Sequence, residues 1–202
     1  TIYGQTSATI NATAATGING SAADVHTVID HAQVNHDTNF TVSISGTSAA
    51  AADLKAIDAI TSGIITATGV ETITGSLSDV GDVVDVDTSK GNAGQQIDVD
   101  TDFNVTLSDT GTMSASALNT LNGKVPGTVT VTNAVTLTGS ASDIATAASA
   151  DNAGTLALAS NFGATVSAGA VDAADLTTIY GQTSATINAT AATGINGSAA
   201  DV

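Results

Sequence analysis

The sequence predicts an α/β repeat fold, a curved or superhelical solenoid of coils of about 30 residues, each with two short strands and one short helix. Three observations point there. Residues 1–25 (TIYGQTSATINATAATGINGSAADV) recur unchanged at 178–202, a period of 177 residues. Within that period FTVSIS begins at Phe40, FNVTLS at Phe103 and FGATVS at Phe162. A second signature recurs between them: INGSAADV at 18–25 and 195–202, ITGSLSDV at 73–80 and LTGSASDI at 137–144. Six coils of about 30 residues fill one period, and stacking would bury a face that no single coil can bury alone. The competing architecture is a string of small β-sandwich-like modules.

The Phe spacing divides the chain into sub-repeats. Residues 1–39 end a third sub-repeat, 40–102 form the first, 103–161 the second, and 162–202 begin the third again. The chain is expected to be a window on a longer tandem array.

Each element has a local cause. Ser21 and Asp24, Ser76 and Asp79, Ser140 and Asp143, and Ser198 and Asp201 are spaced as helix N-cap and third helical residue. There a hydroxyl accepts from a free N–H, and a carboxylate faces the positive end of the helix. After each Phe comes an apolar pair at helical spacing: Leu54 and Ile57, Leu118 and Leu121, Leu176 and Ile179. Gly63, Gly123 and Gly181 are expected to end these helices in the left-handed conformation, the first helix being one turn longer. ITATGVETITG at 65–75, TVTVTNAVTLTG at 128–139, TLALAS at 155–160 and SATINAT at 184–190 alternate apolar residues with Thr or Ser, as half-buried strands do. NAG at 92–94 and 152–154 marks equivalent turns. Phe40, Phe103 and Phe162 are the expected core plugs.

Composition excludes several functions. Nineteen acidic residues face three lysines and no arginine, for a net charge of -16. Lys55, Lys90 and Lys124 are scattered, so clustered neutralisation of nucleic-acid phosphates is excluded. With no cysteine there is neither a disulfide nor a thiol nucleophile. No apolar run is long enough for a transmembrane helix. No Gly-x-Ser-x-Gly elbow, phosphate loop or dinucleotide fingerprint occurs, so the chain reads as non-catalytic. His26, His31 and His36 are five apart, a step that does not keep them on one helix face, and a zinc site is not expected.

The candidate cation site is acidic. Asp85 and Asp87 are expected on one strand face and Asp98, Asp100 and Asp102 on a neighbouring one, where calcium could relieve their repulsion. No EF-hand loop is completed, and a solvated acidic face is the alternative. Pairs such as Thr66/Thr68, Thr72/Thr74, Thr128/Thr130/Thr132 and Thr136/Thr138 are read as solvent-facing strand residues, with an ice-binding hydroxyl ladder as the sharper alternative. Asn11, Asn19, Asn39, Asn104, Asn188 and Asn196 begin Asn-x-Ser/Thr, which permits glycan attachment in a secretory setting.

In TLTGSASDIATAAS, TITGSLSDV and INGSAADV the chain resembles the giant, acidic, cysteine-free tandem-repeat surface proteins of cyanobacteria and other marine bacteria. The resemblance implies secretion and a role in surface layers, filaments, adhesion or motility, often with calcium. The expected function is a structural segment of an extracellular fibre, with neighbouring repeats or copies of itself as partners. An adhesin module that binds carbohydrate, ice or another surface is the alternative.

Overall fold

Short alternating runs make short strands, and the observed strands are two to five residues long. A computed structural model describes residues 5, 7–85 and 96–198, and the chain divides into two compact units, 1–103 and 104–202. In the first unit the order is β1 (Ile10–Ala12), β2 (Gly17–Gly20), α1 (Ala22–Ile29), β3 (Val34–His36), β4 (Thr41–Ile44), β5 (Ser48–Ala50), α2 (Ala51–Ile60), β6 (Ile65–Ala67), β7 (Thr72–Gly75), α3 (Leu77–Asp85) and β8 (Ile97–Val99). In the second it is β9 (Asn104–Leu107), β10 (Gly111–Ser114), α4 (Ala115–Asn122), β11 (Val129–Val131), β12 (Val135–Gly139), α5 (Ala141–Ala153), β13 (Leu156–Ala157), β14 (Gly163–Val166), β15 (Gly169–Asp172), α6 (Ala173–Gln182), β16 (Ile187–Asn188) and β17 (Ala192–Asn196).

Among the described residues every strand pairing within the two units is parallel. In the first unit β2-β4-β6-β8 forms one sheet, and β1 pairs β3 and β5 pairs β7. In the second, β10-β12-β14-β16 forms one sheet, β9-β11-β13 a ladder, and β15 pairs β17. This is an α/β arrangement, and antiparallel sandwich modules are absent from the described residues.

The expected coil of two strands and a helix accounts for only every second layer. Among the described residues two strands precede α1, three separate α1 from α2, two separate α2 from α3, and the alternation continues through α6. The middle strand of a three-strand layer carries the handover. β4 pairs back to β2 and forward to β6, and β14 pairs back to β12 and forward to β16. Phe40, Phe103 and Phe162 each stand immediately before a middle strand and are almost wholly buried. The roughly 60-residue sub-repeat is therefore a pair of unlike layers. The third strand of such a layer is entered through a corner glycine at positive φ, Gly46 (95°), Gly111 (82°) or Gly169 (139°), where a side chain would be strained. The helix of the preceding layer lies close to it, α1 beside β5 and α5 beside β15.

Paired strands lie 23 or 24 residues apart along the chain wherever connections are short, as in Ile10 opposite Val34 and Ser48 opposite Thr72. The offset grows to 32 from Ile65 to Ile97, across α3 and the segment that follows it, and to 27 from Val129 to Leu156, across the 13-residue α5. Unequal Phe spacing arises there. The longer gap from Leu54 to Gly63 adds no helical turn, since α2 and α6 both have 10 residues.

Helices α1, α2, α4 and α5 each bury their first, fourth and seventh or eighth residues. Ala22, Val25 and Ile29 do so in α1, Ala51, Leu54 and Ile57 in α2, and Ala115, Leu118 and Leu121 in α4. Burial every three or four residues anchors a helix too short to be stable alone. In α6 Ile179 is buried while Leu176 is only half-buried. The expected glycine caps are not left-handed. Gly123 is right-handed at φ -71°, Gly181 lies within α6, and Gly63 follows an extended cap residue, Thr61. Among the described residues the left-handed cap is Gly154 after α5, so the Asn152–Ala153 part of the second NAG is helix, while 92–94 lies outside them.

Candidate functional site

The recurrent Ser-x-x-Asp motif builds the edge where each two-strand layer turns into its helix. Ser21 is the N-cap of α1, and its Oγ accepts from the Asp24 N–H at 3.1 Å and donates to Asp24 Oδ2 at 2.7 Å. Ser76 and Asp79 do the same at 3.1 and 2.8 Å, and Ser140 and Asp143 at 3.0 and 2.7 Å. Both polar groups of the pair are thus satisfied within one turn. Asp201 lies outside the described residues, so the pair Ser198–Asp201 has no geometry here.

A ladder the sequence motifs did not disclose runs from helix to helix. The fifth residue of one helix reaches the third residue of the next. His26 Nδ1 of α1 is 2.8 Å from Asp53 Oδ1 of α2. Lys55 of α2 donates to Asp79 Oδ1 of α3 at 2.6 Å and lies 2.7 Å from Asp82 Oδ2. Asn119 of α4 donates to the Asp143 carbonyl of α5 at 2.8 Å. The signal was present as a donor two places after the third helical residue, but only the packing of one helix on the next gives that spacing meaning. The Lys55 ammonium and the Ser76 hydroxyl hold the Asp79 carboxyl below the usual carboxylate range, and Asp79 holds Lys55 above its ordinary value. Burial pushes the Asp58 carboxyl the other way, upward, and one of its oxygens is buried without a hydrogen-bond partner among the described residues.

The acidic candidates do not form two strand faces. Asp85 ends α3, because the Ser76 cap starts a helix and Val80, Val83 and Val84, at helical spacing, bury one side of it. Asp87 lies outside the described residues. Asp98 projects from the outer face of β8, while Asp100 and Asp102 follow in a turn, where Asp100 Oδ1 accepts from the Thr101 N–H at 2.6 Å. No three His, Asp or Glu side chains group closely enough to hold a metal among the described residues. The three histidines are separate: His26 pairs with Asp53, His31 lies in a turn, and the His36 ring bridges the Ile29 and Asp37 carbonyls at 2.8 and 2.7 Å.

Hydroxyl side chains, joined by one amide, line the outer face of the second unit's larger sheet. Ser114, Thr138, Thr165 and Asn188 occupy one register column, and Thr112 and Thr136 lie in the next, which Gly163 interrupts. Thr72 and Thr74 face outward on β7, and Thr66 on β6 with Thr68 in the following turn. Of the triplet, Thr130 is on β11 and Thr128 and Thr132 flank it.

At the last described layer an apolar groove of about 380 Å³ opens between α6 and β16–β17. Leu176 and Tyr180 line one side and Ile187 and Ile195 the other, with Tyr180 76% and Ile195 53% exposed.

No helix among the described residues is long and apolar enough to cross a membrane. No family model matches the chain, and neither a curated protein nor a solved structure matches it.

Proposed function

We propose that the chain is a non-catalytic segment of a long extracellular scaffold, a surface fibre or filament, in which the parallel layers continue as a curved or superhelical solenoid. One observation carries this reading. The same sequence pairs on opposite edges in its two copies. In the first copy Ile10 lies opposite Val34 and Ile18 opposite Val42, both later in the chain. In the second copy Ile187, the counterpart of Ile10, lies opposite Ala164, and Ile195, the counterpart of Ile18, opposite Val171, both earlier. A segment competent on both edges is what an endless stack requires. The acidic charge accumulates with every period, and calcium bound at the acidic side chains would relieve it. A drop in melting temperature on adding chelator is its expected signature.

The decisive measurement is the intact mass of the native polypeptide together with electron microscopy of native material. Masses far above 19.5 kDa and fibres with a regular axial repeat are expected, whereas a native chain of 19.5 kDa overturns the scaffold. The outward Thr and Ser columns on β10, β12 and β14 favour a second reading, an adhesin that binds a carbohydrate, ice or mineral surface. Isolated particles that adhere to such a surface would select it.

A further inference from the structure

The groove at α6 has an internal template for its occupant. The fourth helical residue is wholly buried in α2, α3, α4 and α5 (Leu54, Val80, Leu118 and Ile144), and nearly so in α1 (Val25). Its counterpart in α6, Leu176, is half-buried and lines the groove with Tyr180. Among the described residues β16 and β17 are paired on their backward edges only. The surface that covers the forward edge of this sequence is nevertheless visible, because residues 1–25 are identical to 178–202 and their strands β1 and β2 lie against β3 and β4. That surface is residues 34–60 of the same chain, with α1 packed on α2 beside it.

We propose that the face formed by α6, β16 and β17 docks a second copy of this chain, whose residues 34–60 accept the 178–202 segment in place of their own residues 1–25. The proposal rests on the reading of this segment as a two-edged stacking layer. The backbone bonds formed and released are the same set: Ile187 replaces Ile10 opposite Val34, and Ile195 replaces Ile18 opposite Val42. Exchange of identical elements costs little. The balance is tipped by the groove, because Leu176, Tyr180 and Ile195 leave water only when the next layer arrives. Donor and acceptor are different surfaces, so the contact is heterologous. Assembly then grows head to tail and does not stop at a dimer.

Sedimentation velocity of the 202-residue chain over a concentration series tests this, with circular dichroism to establish that each variant is folded. Species at successive multiples of 19.5 kDa, growing with concentration, are expected of the unaltered chain. Ile195→Asp should hold the chain at a single copy, because it spoils the donor. Ile18→Asp, the same change in the identical segment, should increase association by weakening the self-covering copy. Should Ile18→Asp unfold the first unit, the milder pair Ile187→Ser and Ile10→Ser makes the same opposed comparison. A single-copy chain at every concentration overturns the proposal, as does equal behaviour of the two members of a pair. Failure here leaves the scaffold standing if native material is long, and a short native polypeptide removes the scaffold while the exchange is still read from the 202-residue chain.

Discussion

Layers with two strands and layers with three solve the same problem differently. In the two-strand layers that end in α1, α3 and α5, the chain leaves the strand, passes a glycine and enters the helix through a serine cap closed by an aspartate. In the three-strand layers the strand runs straight into the helix: Ala50 into α2, Ser114 into α4 and Asp172 into α6. Those caps are irregular. Ala50 makes no side-chain bond, Ser114 accepts from Ala117 at 3.3 Å, and Asp172 accepts from Ala174 at 3.0 Å. What the three-strand layers have instead is a buried Phe before the middle strand and a glycine corner before the third. In two of them the helix is followed by a threonine, Thr61 or Thr183, whose hydroxyl donates to the Phe40 or Phe162 carbonyl. Two-strand layers are held by local caps, and three-strand layers by long-range anchors.

The largest effect should come from the anchor. Phe162→Ala removes a fully buried ring where β14 passes the ladder from β12 to β16, and about 3–5 kcal/mol of stability should be lost in denaturant unfolding. A loss no greater than the ~1 kcal/mol typical of Ile→Val would show that the handover does not depend on the Phe. The corner comes next, and here the two kinds of layer should respond with opposite sign. Gly111→Ala forces a side chain into φ 82° and should cost about 1–2 kcal/mol. Gly81→Ala, inside α3 with open space around its Cβ, should add about 0.5–1 kcal/mol. Thermal melts of the pair measure the difference, and shifts of the same sign would sink the corner argument. The smallest effect is that of the caps. Ser140→Ala should cost about 1 kcal/mol by freeing the Asp143 N–H, while Ala50→Ser, at a residue already in extended cap geometry, should recover a few tenths in α2. If Ala50→Ser gained as much as Ser140→Ala lost, the two kinds of helix start would be interchangeable.

Legibility followed range. Ser21, Ser76 and Ser140 could be placed at helix starts because a cap is satisfied within four residues. Leu54, Ile57, Leu118, Leu121 and Ile179 could be placed inside because a three-residue step keeps one helix face turned to the core. The third strands could not be read. SAA, GTMS and GAVD each bury a single residue fully, Ala49, Met113 or Val171, and show no alternation long enough to be a signal. A glycine six to eight residues beyond each Phe was the trace they left. The α3 segment misled at its far end, because Val84 and Asp85 open an alternation with the residues after them that reads as a strand, while the helix begun at Ser76 runs on through Asp85. The acidic candidates fell apart with it, since the face shared by Asp85 and Asp87 required Asp85 to be extended.

The sequence by itself determined that this protein repeats, that its layers are thin, that serine and aspartate start half of its helices, and that three Phe side chains mark a longer beat. These are properties of spacing and of side-chain size, and both are written in one dimension. The tertiary structure alone decided that alternate layers differ, that strands pair 23 or 24 residues on where connections are short, and that His26, Lys55 and Asn119 each reach the next helix. A strand of three residues has no stability of its own. It exists because a neighbour in the adjacent layer offers its backbone, and that neighbour is known only once the chain has come round.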